Sequence, residues 1–166
     1  MTAETDASVT SFKDRNRALQ ELVRELALLR AHNLKFKEGD DPSTLLLFAE
    51  GAIVIVIIEH FVRMVLGDRA TDRDTLNNLL EKAVADRLLR LPWDDQAEGI
   101  REVVGVRNTI LHGNYAQAAR EAQCSSVEDY FKRQFAPEVE GMFKIADYLV
   151  TQIDPETGRP YANPAG

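Results

Sequence analysis

The chain has a single cysteine, Cys124, so it cannot close an internal disulfide or assemble a cysteine-rich zinc site. Its three histidines, His32, His60 and His112, are too far apart for a metal-binding spacing such as HExxH. No glycine-rich phosphate loop, internal repeat or low-complexity tract occurs, and no stretch alternates apolar and polar residues as a half-buried strand does. The N-terminal MTAETDASVTS lacks the basic and apolar regions of a secretory signal, which leads to the expectation of a cytoplasmic protein. Basic charge is also scarce. A net charge of −7 argues against a general nucleic-acid coat protein, because neutralising phosphates takes a surplus of Lys and Arg. The deficit is uneven: between Ser11 and Lys37 seven basic residues face three acidic ones, the pattern of a solvated basic helix face.

What the chain does have is helical periodicity. With 166 residues, 45% apolar and 28% charged, it fits one globular domain. Leu19, Leu22, Val23, Leu26 and Leu29 follow the spacing of a first helix, with Ser11 and Asp14 as a capping box and Gly39 and Pro42 as the stop. A second helix over 43–66 holds the apolar run Ala52 to Ile58 and ends at Gly67. Glu50, Glu59, His60 and Arg63 within it disfavour a membrane span, and Glu59 and Arg63 are spaced to pair. Thr71 and Asp74 suggest the cap of a third helix, whose stripe of Leu76, Leu79, Leu80, Ala83, Val84, Leu88 and Leu91 stops at Pro92. Asp94 and Asp95 suit the start of a fourth. Ser125 and Glu128 would cap a fifth, kinked or restarted at Pro137 and continued by Val139, Met142, Phe143, Ala146, Leu149 and Ile153. The expectation is an all-α, up-and-down bundle of about five helices over 11–153, with a flexible N-terminus over 1–10 and a flexible, proline-rich C-terminal tail over 154–166.

The fourth helix runs into VGVRNTILHGNY, residues 104–115. Ile100, Val103, Val104, Ile110 and Leu111 make an apolar face, and Arg107 falls inside it. A buried arginine cannot lose its proton, so it needs a carboxylate, a bound anion or a route to water. Asn108 and His112 share a neighbouring stripe. Five residues separate Arg107 from His112, about 140° around a regular helix, so they converge only if the arginine reaches around, the helix bends near Gly113, or a second chain completes the site. The set suits RNA cleavage: a histidine can take a proton from a ribose 2′-hydroxyl or give one to the 5′-oxygen, and an arginine can hold the phosphate.

Arg107-Asn108-Thr-Ile-Leu-His112 resembles the R-x4-6-H motif of HEPN domains, whose ribonuclease members often carry a polar residue directly after the arginine. The resemblance extends over roughly residues 10 to 153 through the all-α pattern and hydrophobic central helix, although only the motif is specific. It implies a HEPN-like fold and a homodimer whose two motifs share a cleft. The implied activity is RNA cleavage without cofactor or metal, leaving 2′,3′-cyclic phosphate and 5′-hydroxyl ends. Arg107, His112 and Asn108 are then the catalytic candidates, with Asn114 and Tyr115 in supporting or substrate-binding roles. Many such proteins are toxins or defence factors, some paired with a nucleotidyltransferase antitoxin that adds AMP to a tyrosine two residues after the histidine. Tyr115 stands three after His112, a departure from that pattern.

Plainer readings exist for each residue. His112 before Gly113 suits a helix C-terminus, where the imidazole would meet the last carbonyls. Arg107 would pair with Glu50 or Glu59, and His60 would be a satisfied core histidine. Cys124 lacks an orienting partner for nucleophilic work. The competing class of function is an inert HEPN-like helical module that binds RNA, a nucleotide or a protein partner, without membrane involvement.

Overall fold

Side-chain caps and backbone turns, rather than prolines, set most of the helix boundaries. The computed structural model describes residues 3–37 and 44–161. Among them the order is α1 Ala3–Lys37, α2 Thr44–Leu66, a 3-10 turn Gly67–Arg69, α3 Leu76–Ala85, α4 Gln96–His112, α5 Tyr115–Glu121, α6 Val127–Tyr130, a π-helical stretch Phe131–Phe135, and α7 Ala136–Val150. The protein is all-α, as the periodicity predicts, and no described helix is long and apolar enough to cross a membrane.

Several expected boundaries move. Ser11 lies inside α1, which already runs from Ala3, so Ser11 and Asp14 are no capping box. The stop expected at Gly39 and Pro42 falls outside the described residues. Thr75, not Thr71, caps α3 by accepting from the backbone N–H of Asn78, while Asp74 accepts from the N–H of Thr71 and from Lys82. That pairing holds the Asp74 carboxyl down at about 2. Asp95 caps α4 as anticipated, accepting from the N–H groups of Ala97 and Glu98. Ser126, one residue later than expected, caps α6 through the N–H of Asp129. The short α5 adds a helix beyond the five expected.

The core forms around α2, which packs against α1, α3, α4 and α7. Val54, Ile55, Ile57, Ile58, Phe61 and Val62 of α2 are buried, as are Leu76, Leu79, Leu80 and Ala83 of α3 and Val139, Met142, Ile145 and Leu149 of α7. Such apolar burial is the main favourable contribution to the fold. Arg30 of α1 ties to α7 twice, by a 2.7 Å ion pair with Glu140 and by lying 3.7 Å over the ring of Phe143.

Beyond α7 the chain turns back. Ile153 is buried and bridges Pro160, the N–H of Asp154 donates to the carbonyl of Arg159 at 2.9 Å, and Lys13 reaches Glu156 at 2.7 Å. The turn brings Gly158, with φ of +69°, onto the ring of Phe12, where a Cβ would stand 2.6 Å from a ring carbon. Only glycine meets both conditions without strain. Gly158→Ala is therefore expected to destabilise the protein by about 2 kcal/mol in urea unfolding, from the left-handed backbone and the overpacked ring together. A change below a few tenths of a kcal/mol would mean this turn does not dock on α1.

Candidate active site at the end of helix 4

Packing fixes which part of VRNTILHGNY faces water. Ile100, Val103 and Ile110 are buried, Val104 is half-buried, and Leu111 is 39% exposed, so the apolar face is narrower than its sequence suggests. Arg107 sits at the edge of that face and is half-buried, while Asn108 and His112 are exposed. The arginine reaches around the helix. Its Nη1 donates to Asn108 Oδ1 at 3.1 Å and lies 3.2 Å from His112 Nε2. A guanidinium carries only donors, so a hydrogen bond between these two groups takes Nε2 as its acceptor. The three catalytic candidates thus meet within one subunit, without a bend in the helix or a second chain.

The plainer readings do not describe these contacts. Glu59 pairs instead with Arg63, at 3.1 Å. The Arg107 Nε is buried and has no hydrogen-bond partner. An unmet buried donor costs about 1–3 kcal/mol, so this arginine is not held in a satisfied structural network. His112 turns toward Arg107, while the carbonyls at the helix end find other donors: the N–H of Gly113 donates to Thr109 at 3.0 Å and the Tyr115 hydroxyl to Ile110 at 2.6 Å. A Cβ on Gly113 would run into the Thr109 carbonyl oxygen, so the break after His112 needs a residue without one.

Tyr115 and Asn114 take structural roles at this corner. Asn114 caps α5 by accepting from the N–H of Gln117 at 3.2 Å. Tyr115 is half-buried, with its ring 5.0 Å from Phe131 and 6.0 Å from Phe135, and burial raises its phenol pKa. It positions the end of α4 rather than facing the exposed Arg107–His112 edge.

His60 departs from expectation: it is exposed and lines a surface cavity of about 630 Å³ with Arg15, Arg63, Asp68 and Asp72. Cys124 is half-buried, with its thiol 3.8 Å from the Ala122 carbonyl. Among the described residues no three His, Cys, Asp or Glu side chains gather as metal ligands.

The motif alone does not single out two neighbours of the catalytic candidates. Arg101 and Gly105 share one exposed stripe of α4 with Asn108 and His112, at intervals of three and four residues. A Cβ on Gly105 would meet nothing within 4 Å, so nothing inside the subunit requires a glycine there. Helical spacing applied to exposed rather than apolar positions would have found this stripe. In comparisons with known proteins, no family model, curated protein or solved structure matches the chain.

Tyr115→Phe keeps the aromatic contacts and leaves the Ile110 carbonyl without its donor. Thermal unfolding should register a loss of about 1 kcal/mol. An unchanged melting temperature would mean that water replaces the hydroxyl and that the corner is not held by it.

Proposed function

We propose that the protein is a metal-independent endoribonuclease that acts as a homodimer and leaves 2′,3′-cyclic phosphate and 5′-hydroxyl ends. The observation that carries this reading is the exposed contact of Arg107 with both Asn108 and His112. In the free protein the histidine's acceptor is covered by the arginine. An incoming phosphate diester competes for the guanidinium, which is its better-matched partner through paired N–H groups. As Arg107 moves onto the non-bridging oxygens, Nε2 is released to accept the ribose 2′-hydroxyl proton. The 2′-oxygen then attacks phosphorus, the P–O5′ bond breaks, and the 5′-oxygen receives a proton from the second subunit's histidine in its protonated, imidazolium form, which becomes neutral as the first histidine becomes charged. Arg107 stabilises the extra charge on the pentavalent transition state through its terminal N–H groups. Asn108 holds the guanidinium close to the histidine.

The stripe of Arg101, Gly105, Asn108 and His112, with Leu111 beside it, is the surface on which two copies would meet. A mid-helix glycine costs about 1 kcal/mol relative to alanine, and a closely approaching second backbone gives that cost a purpose. The toxin or defence role, with a cognate nucleotidyltransferase antitoxin, belongs to the same proposal. Tyr115 is a poor acceptor for AMP, since its hydroxyl is engaged with Ile110. The net charge of −7 favours the second reading, an inert module that uses this face for binding, because such a field repels RNA at a distance.

End-labelled RNA incubated in EDTA separates the two readings. The wild type should yield cyclic phosphate ends, and His112→Ala and Arg107→Ala should each slow cleavage by at least about 100-fold, the span of a lost general base or of a lost transition-state donor. Retained cleavage in both variants would sink the assignment of these residues. Failure of the folded wild type to cut several RNAs would leave the binding module.

The dimer makes a separate prediction. Leu111→Glu should convert the protein to a monomer in sedimentation while leaving its helical circular dichroism unchanged, since this side chain is 39% exposed within the subunit. Gly105→Ala should stabilise the isolated subunit by roughly 0.5–1 kcal/mol. A wild type that sediments as a monomer throughout the assay range would refute the shared site.

A further inference from the structure

At the opposite end of α4 from His112, about 24 Å away by helix rise, lies a cavity of about 880 Å³. It is formed where the C-terminus of α3, the start of α4, the end of α7 and the returning tail converge, and Val84, Leu88 and Pro160 supply its apolar wall. In a protein with a net charge of −7, no carboxylate among the described residues lines it and two arginines do, Arg87 and Arg90. Two tyrosines complete the lining, Tyr148 at 38% and Tyr161 at 53% exposure.

Accounting for the polar groups shows which are available to a ligand. The amide of Gln96 is used by the adjoining turn, accepting from the N–H of Leu91 and donating to the carbonyls of Leu91 and Trp93. The amide of Gln152 accepts from the N–H of Arg90 at 2.8 Å and donates to its carbonyl at 2.7 Å. The Arg90 backbone is thereby fixed, while its guanidinium takes no part in that network and lies 4.0 Å from the fully exposed Asp94, a pairing that contributes little. Arg87 follows α3 in the left-handed conformation, with φ of 56°, held by its own N–H on Val84 at 3.0 Å and that of Leu88 on Ala83 at 2.9 Å. Glycine is the usual occupant of this position, so an arginine here carries a conformational cost. Its guanidinium makes no hydrogen bond or ion pair with any described residue. Tyr161 is anchored by its N–H on the Gln152 carbonyl at 3.0 Å.

We propose that this cavity binds a nucleotide, with the base against the faces of Tyr148 and Tyr161 and the phosphate held by Arg87 and Arg90. The cavity is a cleft open to solvent, with a volume in the range of small-molecule sites. Flat aromatic faces beside guanidinium groups on a fixed backbone are the elements that recognise a base joined to a phosphate. The same chemistry is offered by a free mononucleotide and by one nucleotide of an RNA chain. The site does not depend on cleavage at His112.

Calorimetric titration of the full chain tests this with AMP, adenosine, inorganic phosphate and a 5′-phosphorylated, 2′-O-methylated tetranucleotide that cannot be cut through a 2′-hydroxyl. AMP should bind at least tenfold more tightly than adenosine or phosphate alone. Arg87→Gly should weaken it at least tenfold without lowering the melting temperature, since glycine suits the left-handed backbone. Tyr148→Ala should weaken it comparably, and His112→Ala should leave it unchanged. A tetranucleotide that binds at least tenfold more tightly than AMP, and loses that affinity in Arg87→Gly, assigns the site to RNA; comparable affinities assign it to the free nucleotide. The proposal is overturned if neither AMP nor the tetranucleotide binds at millimolar concentration, if Arg87→Gly and Tyr148→Ala bind as the wild type does, or if His112→Ala removes the binding.

Discussion

The close approach of α2 to α4 and α7 at Gly51 is the constraint from which the candidate site takes its shape. A Cβ at this position would stand 3.0 Å from Val139, 3.3 Å from Ile110 and 3.4 Å from Phe135. Ile110 and Phe135 are fully buried at that junction. Ile110 lies three residues after Arg107 and two before His112, so apolar packing anchors the backbone that carries the polar groups. A rigid support of this kind lets a half-buried arginine and an exposed histidine hold a mutual geometry that neither would keep alone.

The same junction explains the irregularity in the last helix. Pro137 has no N–H to continue the ladder, and the turn before it widens so that the N–H of Ala136 donates to Phe131, five residues back. The widened turn sets the rings of Phe131 and Phe135 4.5 Å apart, and Tyr115 packs against both. Because the Tyr115 hydroxyl also holds the Ile110 carbonyl, the π-helical stretch, the α4–α5 corner and the Arg107–His112 edge form one connected piece. A disturbance at Pro137 would reach the site through aromatic contacts rather than through the charges.

The long helices were legible because their apolar spacing persists over several turns, and the Asp95 cap because an acidic pair directly precedes such a run. The caps at Thr75 and Ser126 were misplaced by four residues and by one, since neighbouring hydroxyls compete for the role and only the backbone decides between them. Helix α5 is not legible, because seven residues with Tyr115, Ala118 and Ala119 carry too little periodicity. At the site, the identities of Arg107, Asn108 and His112 were legible but their meeting was not. Backbone geometry places the arginine and histidine on different stripes, and the length of the arginine side chain closes the gap. The support given by Tyr115 was hidden for a related reason: it depends on the chain breaking at Gly113 and returning toward Ile110. The exposure of His60 is not legible, because the hydropathy of a helix as a whole says little about which of its faces is covered.

Charge distribution also bears on how such a protein would meet a polyanion. Much of its basic charge serves the bundle: Arg30 holds Glu140 and Phe143, Lys13 holds Glu156, and Arg63 joins Glu59 to the loop before α3. Arg107 and Arg87 differ from these in keeping donors that no described residue takes, and they lie near opposite ends of α4. At distances beyond a Debye length of about 8 Å, an incoming polyanion senses mainly the net negative charge, and screening by salt weakens that repulsion. At contact, the nearest guanidinium dominates because its field is least screened. A chain built this way discourages indiscriminate binding to nucleic acid while keeping strong local interaction at chosen points. Such an arrangement gains selectivity at the expense of association rate, and it gives an acidic protein a physical basis for recognising phosphate.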